Sequence, residues 1–186
     1  MMKWFNKINS RDYSFNTLDR ICLYVLIFLS GSVAGYIYEE LFCLIADHEI
    51  VNRGFLYGPY LPVYGFGAVL MVLLLKRFKK NPLVVFLLAM LVTGILEYFT
   101  GYALWEIFHK TWWDYTGLFL NIDGYVCLRS VLTFGVGGIL LIYIVEPLVS
   151  MFVSKFAKYK IYILSYCVCC VVTLDFILTL IFRNKL

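Results

Sequence analysis

Charge is what this chain has least of. Twelve Asp and Glu and sixteen Lys and Arg serve 186 residues, 15% of the total, against 62% hydrophobic. A water-soluble domain carries roughly a quarter of its residues as charge to cover its surface, so a soluble globule is excluded. Histidine is nearly absent: the two present, His48 and His109, stand far apart and read as loop residues. Cys167 and Cys170 have the Cys-x-x-Cys spacing but lie in the middle of an apolar run with no histidine near, so no metal centre and no cofactor are implied. Of the six cysteines, Cys167, Cys169 and Cys170 lie inside an apolar run and read as buried thiols. Cys43 and Cys127 leave a disulfide open. No glycine-rich phosphate loop ending in Gly-Lys-Ser/Thr occurs, so the chain brings no ATP site of that type. The net charge of +4 is too small to point to nucleic acid. No small-residue cleavage site follows the first apolar run, which is therefore expected to be a retained helix rather than a signal peptide.

What is abundant is apolar sequence in long stretches. Five runs suit a hydrocarbon core of about 30 Å, which about 20 helical residues cross. They cover residues 21–46, 59–75, 82–108, 125–149 and 161–182. The expected fold is all-α: a polytopic integral membrane bundle of about five transmembrane helices, with a Gly/Pro-broken start to the second. Residues 1–20 form a cytoplasmic or interfacial segment, with Trp4, Phe5, Tyr13 and Phe15 among its charges, and 21–186 form one transmembrane domain. The lipid bilayer is the first partner. Counting Lys and Arg by alternate loops puts eleven on the side of the N-terminus and five on the other, among them Arg183 and Lys185. By the positive-inside rule the N-terminus is cytoplasmic, and after five crossings of the cell membrane the C-terminus is outside.

The polar residues that remain inside or beside these runs are the functional candidates. Gly31, Gly35 and Glu39 recur every fourth residue and so share one helix face. Glycines at that spacing admit a close neighbour, either another helix or the seam of a homo-oligomer. Glu97 lies well inside the third run, where a charge costs about 3 kcal/mol, so it needs a partner, a proton or a wet cavity. Arg129 falls a few residues inside the fourth run and needs an acid or water. Asp114, Glu97 and Glu39 are its possible partners. The loop before it adds Trp113, Asp114, Tyr115 and Asn121; its tryptophans and tyrosines also suit the aromatic belt of a membrane surface.

Between the first two runs, Gly54, Gly58, Pro59, Pro62 and Gly65 crowd a stretch whose only charge is Arg53. Prolines three residues apart with glycines around them do not favour a helix interior. Broken backbone at membrane depth survives where protein or a wet cavity surrounds it. A re-entrant segment and an ordinary external turn both remain open.

The blocks Gly35 to Glu39, Asn52 to Pro59, Pro62 to Gly65, Glu97 with Thr100 and Gly101, Trp113 to Tyr115, Asn121, Gly124, Cys127 with Leu128, and Pro147 resemble the bacterial putative ABC-transporter type IV (CmpB-like) membrane family. The resemblance runs from about Gly31 to Pro147. It departs from that family at Asp123 and Phe134. It implies a permease-like component with a separate ATP-binding subunit as partner, and it carries over no substrate or catalytic residue.

Three readings fit these features. In the first, Glu39, Arg53, Glu97, Asp114, Asn121 and Arg129 form a substrate or ion site of a transport component, opening outward. In the second, the same acids and arginines serve a membrane-embedded enzyme acting on a lipid or envelope precursor, although no nucleophile–His pair is present. In the third, they are ion pairs that fix helix packing in a structural or regulatory subunit without chemistry.

Overall fold

The computed structural model describes residues 13–46, 54 and 56–182. Among them every regular element is helical: α1 (Thr17–Ala46), α2 (Pro62–Leu75), α3 (Pro82–Phe108), α4 (Leu128–Leu140), α5 (Glu146–Lys155) and α6 (Lys158–Phe182). A 3-10 turn, Lys76–Phe78, joins α2 to α3, and a π turn, Leu141–Val145, joins α4 to α5. The expected all-α polytopic bundle is the observed class. The interfacial segment expected over the first residues lies mostly outside the described residues, as do Arg53, Arg183 and Lys185.

Local chemistry sets the helix ends. Asn16 and Asp19 start α1 with a reciprocal capping box: the Asn16 side chain accepts the Asp19 N–H at 2.7 Å, and the Asp19 carboxylate accepts the Asn16 N–H at 3.3 Å. Asn81 caps α3 from the side chain, with Pro82 at the first helical position, where its missing N–H costs nothing. His109 stops the same helix in the left-handed conformation, φ 51°. Pro147 has no N–H to give the carbonyl four residues before it, and the ladder widens into the π turn just upstream.

Four helical stretches are long and apolar enough to cross a membrane: Thr17–Ile45, Pro82–Phe108, Leu128–Lys155 and Lys158–Phe182. The second expected crossing is different. It forms a helix only from Pro62, not from Pro59, and α2 has 14 residues. At 1.5 Å per residue that is about 21 Å, short of the hydrocarbon thickness.

The contacts divide the chain into two compact units, residues 1–69 with 145–186, and residues 70–144. In the first unit, α2 packs antiparallel on α1. The Tyr64 ring lies on Gly35, Gly65 on Ser32 and Phe28, and Ala68 on Gly31. The small-residue stripe therefore receives α2 rather than a second copy of the chain. A Cβ at Gly35 would stand 2.2 Å from the Tyr64 ring, so only glycine fits there. α1 and α6 run parallel: Asp19 at the start of α1 accepts the Tyr162 phenol near the start of α6 at 2.9 Å. Thirteen residues further along each helix, Ser32 and Asp175 hold neighbouring parts of the 57–61 segment.

In the second unit, α3 and α4 pack antiparallel. Gly135 sits against Phe86 and Met90, Gly138 against Ala89, and Gly94 against Val131.

Candidate functional site

The Gly/Pro-rich segment is where the first unit departs most from regular helix. Leu61 donates its N–H to the Ser32 carbonyl at 3.0 Å. Ser32 stands fifteen residues into α1, about 22 Å along it, close to the helix midpoint. The non-helical residues 56–61 thus lie beside the middle of α1, and α2 begins there. Such backbone cannot face lipid, because each unpaired N–H or C=O would cost several kcal/mol. Protein covers it in part: Leu56 is fully buried and Tyr60 is 7% exposed, while Tyr57 is 57% exposed.

Asp175 of α6 supplies the missing hydrogen bonds. Its carboxylate accepts the Tyr57 N–H at 3.1 Å, the Gly58 N–H at 2.9 Å and the Tyr60 phenol at 2.5 Å. Thr179, one turn further along α6 and fully buried, adds its hydroxyl at 3.3 Å. One intramembrane acid thereby holds three successive groups of the broken segment. Asp175 was not among the residues singled out from sequence. Its signal was present: it is the lone acid in the last apolar run, and an ionisable residue at such depth marks function by default.

The same pairing recurs. Tyr64, in the first turn of α2, donates its phenol to Glu39 of α1. In the second unit the Tyr115 phenol reaches Glu97 Oε1 at 2.9 Å, and the Tyr98 phenol reaches Asp123 at 2.9 Å. A phenol satisfies a carboxylate without adding charge, and a hydrogen bond to a charged group contributes about 1.5–3 kcal/mol net.

The loop between α3 and α4 is built from its own polar residues. Asp114 Oδ1 accepts the Thr116 N–H at 2.8 Å and the Thr116 hydroxyl at 2.5 Å. Those two bonds hold its carboxyl below the ordinary aspartate range. Asn121 accepts the Gly124 N–H at 3.3 Å and donates to the Leu118 carbonyl at 2.9 Å. Gly124 has φ +72°, and a Cβ there would crowd Asp114 and Thr116. Trp113 donates its indole N–H to the Tyr125 carbonyl at 2.8 Å, an anchor rather than only a belt residue. Asp123 is left-handed, φ 52°, and Asp tolerates this better than most side chains.

Cys127 caps α4, its sulfur accepting the Ser130 N–H at 3.5 Å while the Ser130 hydroxyl returns to the Cys127 backbone. Arg129 is the second residue of α4 and is exposed, so it stands at the helix mouth and not deep within the span. No disulfide forms among the described residues. Cys167, Cys169 and Cys170, expected to be buried, are exposed on α6, and Cys43 and Cys127 are buried.

Glu146 is a second acid that sequence reasoning passed over. It follows the π turn, is 2% exposed, and accepts the Ser150 hydroxyl at 2.8 Å. Among the described residues no group of three His, Cys, Asp or Glu converges as a metal site would require.

The structure thus ties Glu39 and Glu97 to tyrosines and uses Asp114 and Asn121 to shape their own loop. Arg53 lies outside the described residues. The sequence model of a protein family described as "Putative ABC-transporter type IV" matches residues 26–180. No curated protein and no solved structure shows significant similarity to the chain.

Proposed function

We propose, for a chain that belongs to the putative ABC-transporter type IV family, that it is the permease-type membrane component of an ATP-driven transporter, with the broken second crossing facing the solute. The observation that carries this reading is the Asp175 carboxylate, on a helix long and apolar enough to cross a membrane, holding the non-helical backbone of Tyr57 and Gly58. Discontinuous crossings of this kind place backbone polar groups and an ionisable side chain where a solute can meet them. The acids Glu39 and Asp175 of the first unit favour a solute with a cationic or hydroxyl-bearing group. In the second unit, Glu97, Asp114, Asn121 and Arg129 form a separate set of polar candidates.

The chain has no phosphate loop, so ATP hydrolysis falls to a separate subunit. The N-terminus is cytoplasmic by the eleven-to-five charge count, and the parallel course of α1 and α6 supports a C-terminal end on the opposite face. Deleting the gene is expected to abolish uptake or export of at least one solute in a broad panel. Complementation with Asp175→Asn should restore protein level and less than about a tenth of the flux. Unchanged fluxes across the panel in the deletion strain would overturn the proposal.

A second reading, a structural or regulatory subunit, draws support from the tyrosine partners of Glu39 and Glu97. It expects Glu97→Gln to lower thermal stability while leaving every flux unchanged.

A further inference from the structure

The turn between α2 and α3 carries Lys76, Arg77, Lys79 and Lys80 within five residues, with no acid among them. Because α3 starts a membrane crossing at Pro82, this turn sits at the headgroup level. A topology signal requires only charge, yet here the backbone is held in a fixed shape. The Lys79 N–H bonds the Lys76 carbonyl at 3.2 Å, and the Asn81 N–H bonds the Phe78 carbonyl at 2.9 Å. The Tyr143 phenol, 64 residues away in sequence, donates to the Lys79 carbonyl at 2.6 Å. Arg77 lies 4.8 Å over the Phe78 ring, which orients its guanidinium.

Below the turn, Leu83, Leu87, Leu91, Ile95 and Phe99 recur every fourth residue of α3, and each is half or more exposed. They form one continuous apolar track that leads from the basic turn into the hydrocarbon.

We propose that this turn and track form a binding site for an anionic phospholipid. Arg77 and Lys80 hold the phosphate, and an acyl chain lies along Leu83, Leu87 and Leu91. A fixed cationic head above an apolar track matches a phosphodiester joined to a hydrocarbon tail. A free phosphate would use only the head, and an acidic protein surface would leave the track uncovered. The inference does not depend on the transport reading, since it concerns only the second unit.

The test is native mass spectrometry of the full chain after reconstitution in equal parts phosphatidylglycerol and phosphatidylcholine. The wild type should retain phosphatidylglycerol selectively, and raising the salt should weaken retention. At about 1 kcal/mol per basic residue near an anionic surface, Arg77→Gln with Lys80→Gln should lower that preference by about thirty-fold at low salt. Tyr143→Phe keeps every charge and releases the turn, and it should also reduce selectivity. The Tyr143→Phe arm guards against a topology change or poor folding in the charge-neutral variant. Equal retention of both lipids by the wild type overturns the proposal, and so does unchanged selectivity in Tyr143→Phe. Displacement of the lipid by millimolar inorganic phosphate would also overturn it, because it would show that the track contributes nothing.

Discussion

Asp175 accepts the backbone N–H of Gly58 at 2.9 Å across 117 residues of sequence. That bond joins the last helix to the segment preceding α2, and it helps to hold the non-helical residues 57–61 beside α1 and α6. Removing the carboxylate takes the acceptor from the part-buried Gly58 N–H, at about 1–3 kcal/mol, and from the more exposed Tyr57 N–H at less. Asp175→Ala is expected to lower the melting temperature in detergent markedly. Asp175→Asn keeps one acceptor oxygen and should fall between the alanine variant and wild type. Fluorescence-detected size-exclusion after heating reads both, and equal melting points for all three would contradict the latch.

Gly35→Ala places a Cβ 2.2 Å from the Tyr64 ring. Over-packing of this kind costs about 1–3 kcal/mol. Shortening the ring in Gly35→Ala/Tyr64→Ala should recover part of that loss, although the Glu39 phenol partner goes with it. A double variant no more stable than the sum of the two singles predicts would show that the two residues do not meet.

Tyr115→Phe removes the phenol that Glu97 accepts at 2.9 Å. The expected cost is about 1.5–3 kcal/mol, the range for a hydrogen bond to a charged group. Once Glu97 is already Gln, the same tyrosine change should cost less. A coupling energy near zero in that double-mutant cycle would count against the pairing.

The Asp114 carboxyl is held below its ordinary range by the Thr116 hydroxyl and N–H. A carboxylate with a depressed folded value stabilises its loop at all pH values above the unfolded range, and that contribution is lost as pH falls through the lower folded value. Hydrogen exchange of residues 110–127 should therefore stay slow at neutral pH and quicken only below the usual aspartate range. In Thr116→Val the quickening should begin at higher pH. An onset that does not move would remove Thr116 as the cause.

Single cysteines introduced at Asn16 and at Phe182 in a cysteine-free background should react with impermeant reagents from opposite faces. That outcome is expected where the segment ending in α2 completes a fifth crossing. Labelling from the same face would mean that the broken segment does not complete a crossing.

The third helix was legible in the sequence to the residue, because Asn81-Pro82 and His109 bracket an uninterrupted apolar run. The break before α2 was legible too, since Pro59 and Pro62 forbid regular helix on purely local grounds. Where the broken segment would go was not. Pro59 and Pro62 say that the ladder is interrupted, but they do not say which group accepts the orphaned N–H groups. That group is Asp175, more than a hundred residues away, and only folding brings the two together.

Glu39 and Glu97 were recognisable as costly residues, while their tyrosine partners were not. Tyr64 and Tyr115 stand in the family blocks, but nothing local says which of the fifteen tyrosines meets which acid. The sequence by itself determined a membrane-spanning bundle, because scarce charge and long apolar runs leave no soluble alternative. It also determined where regular helix must fail. The tertiary structure alone decided how each buried polar group is satisfied, since hydrogen-bond partners depend on which helices lie side by side, and that is not a local property of the chain.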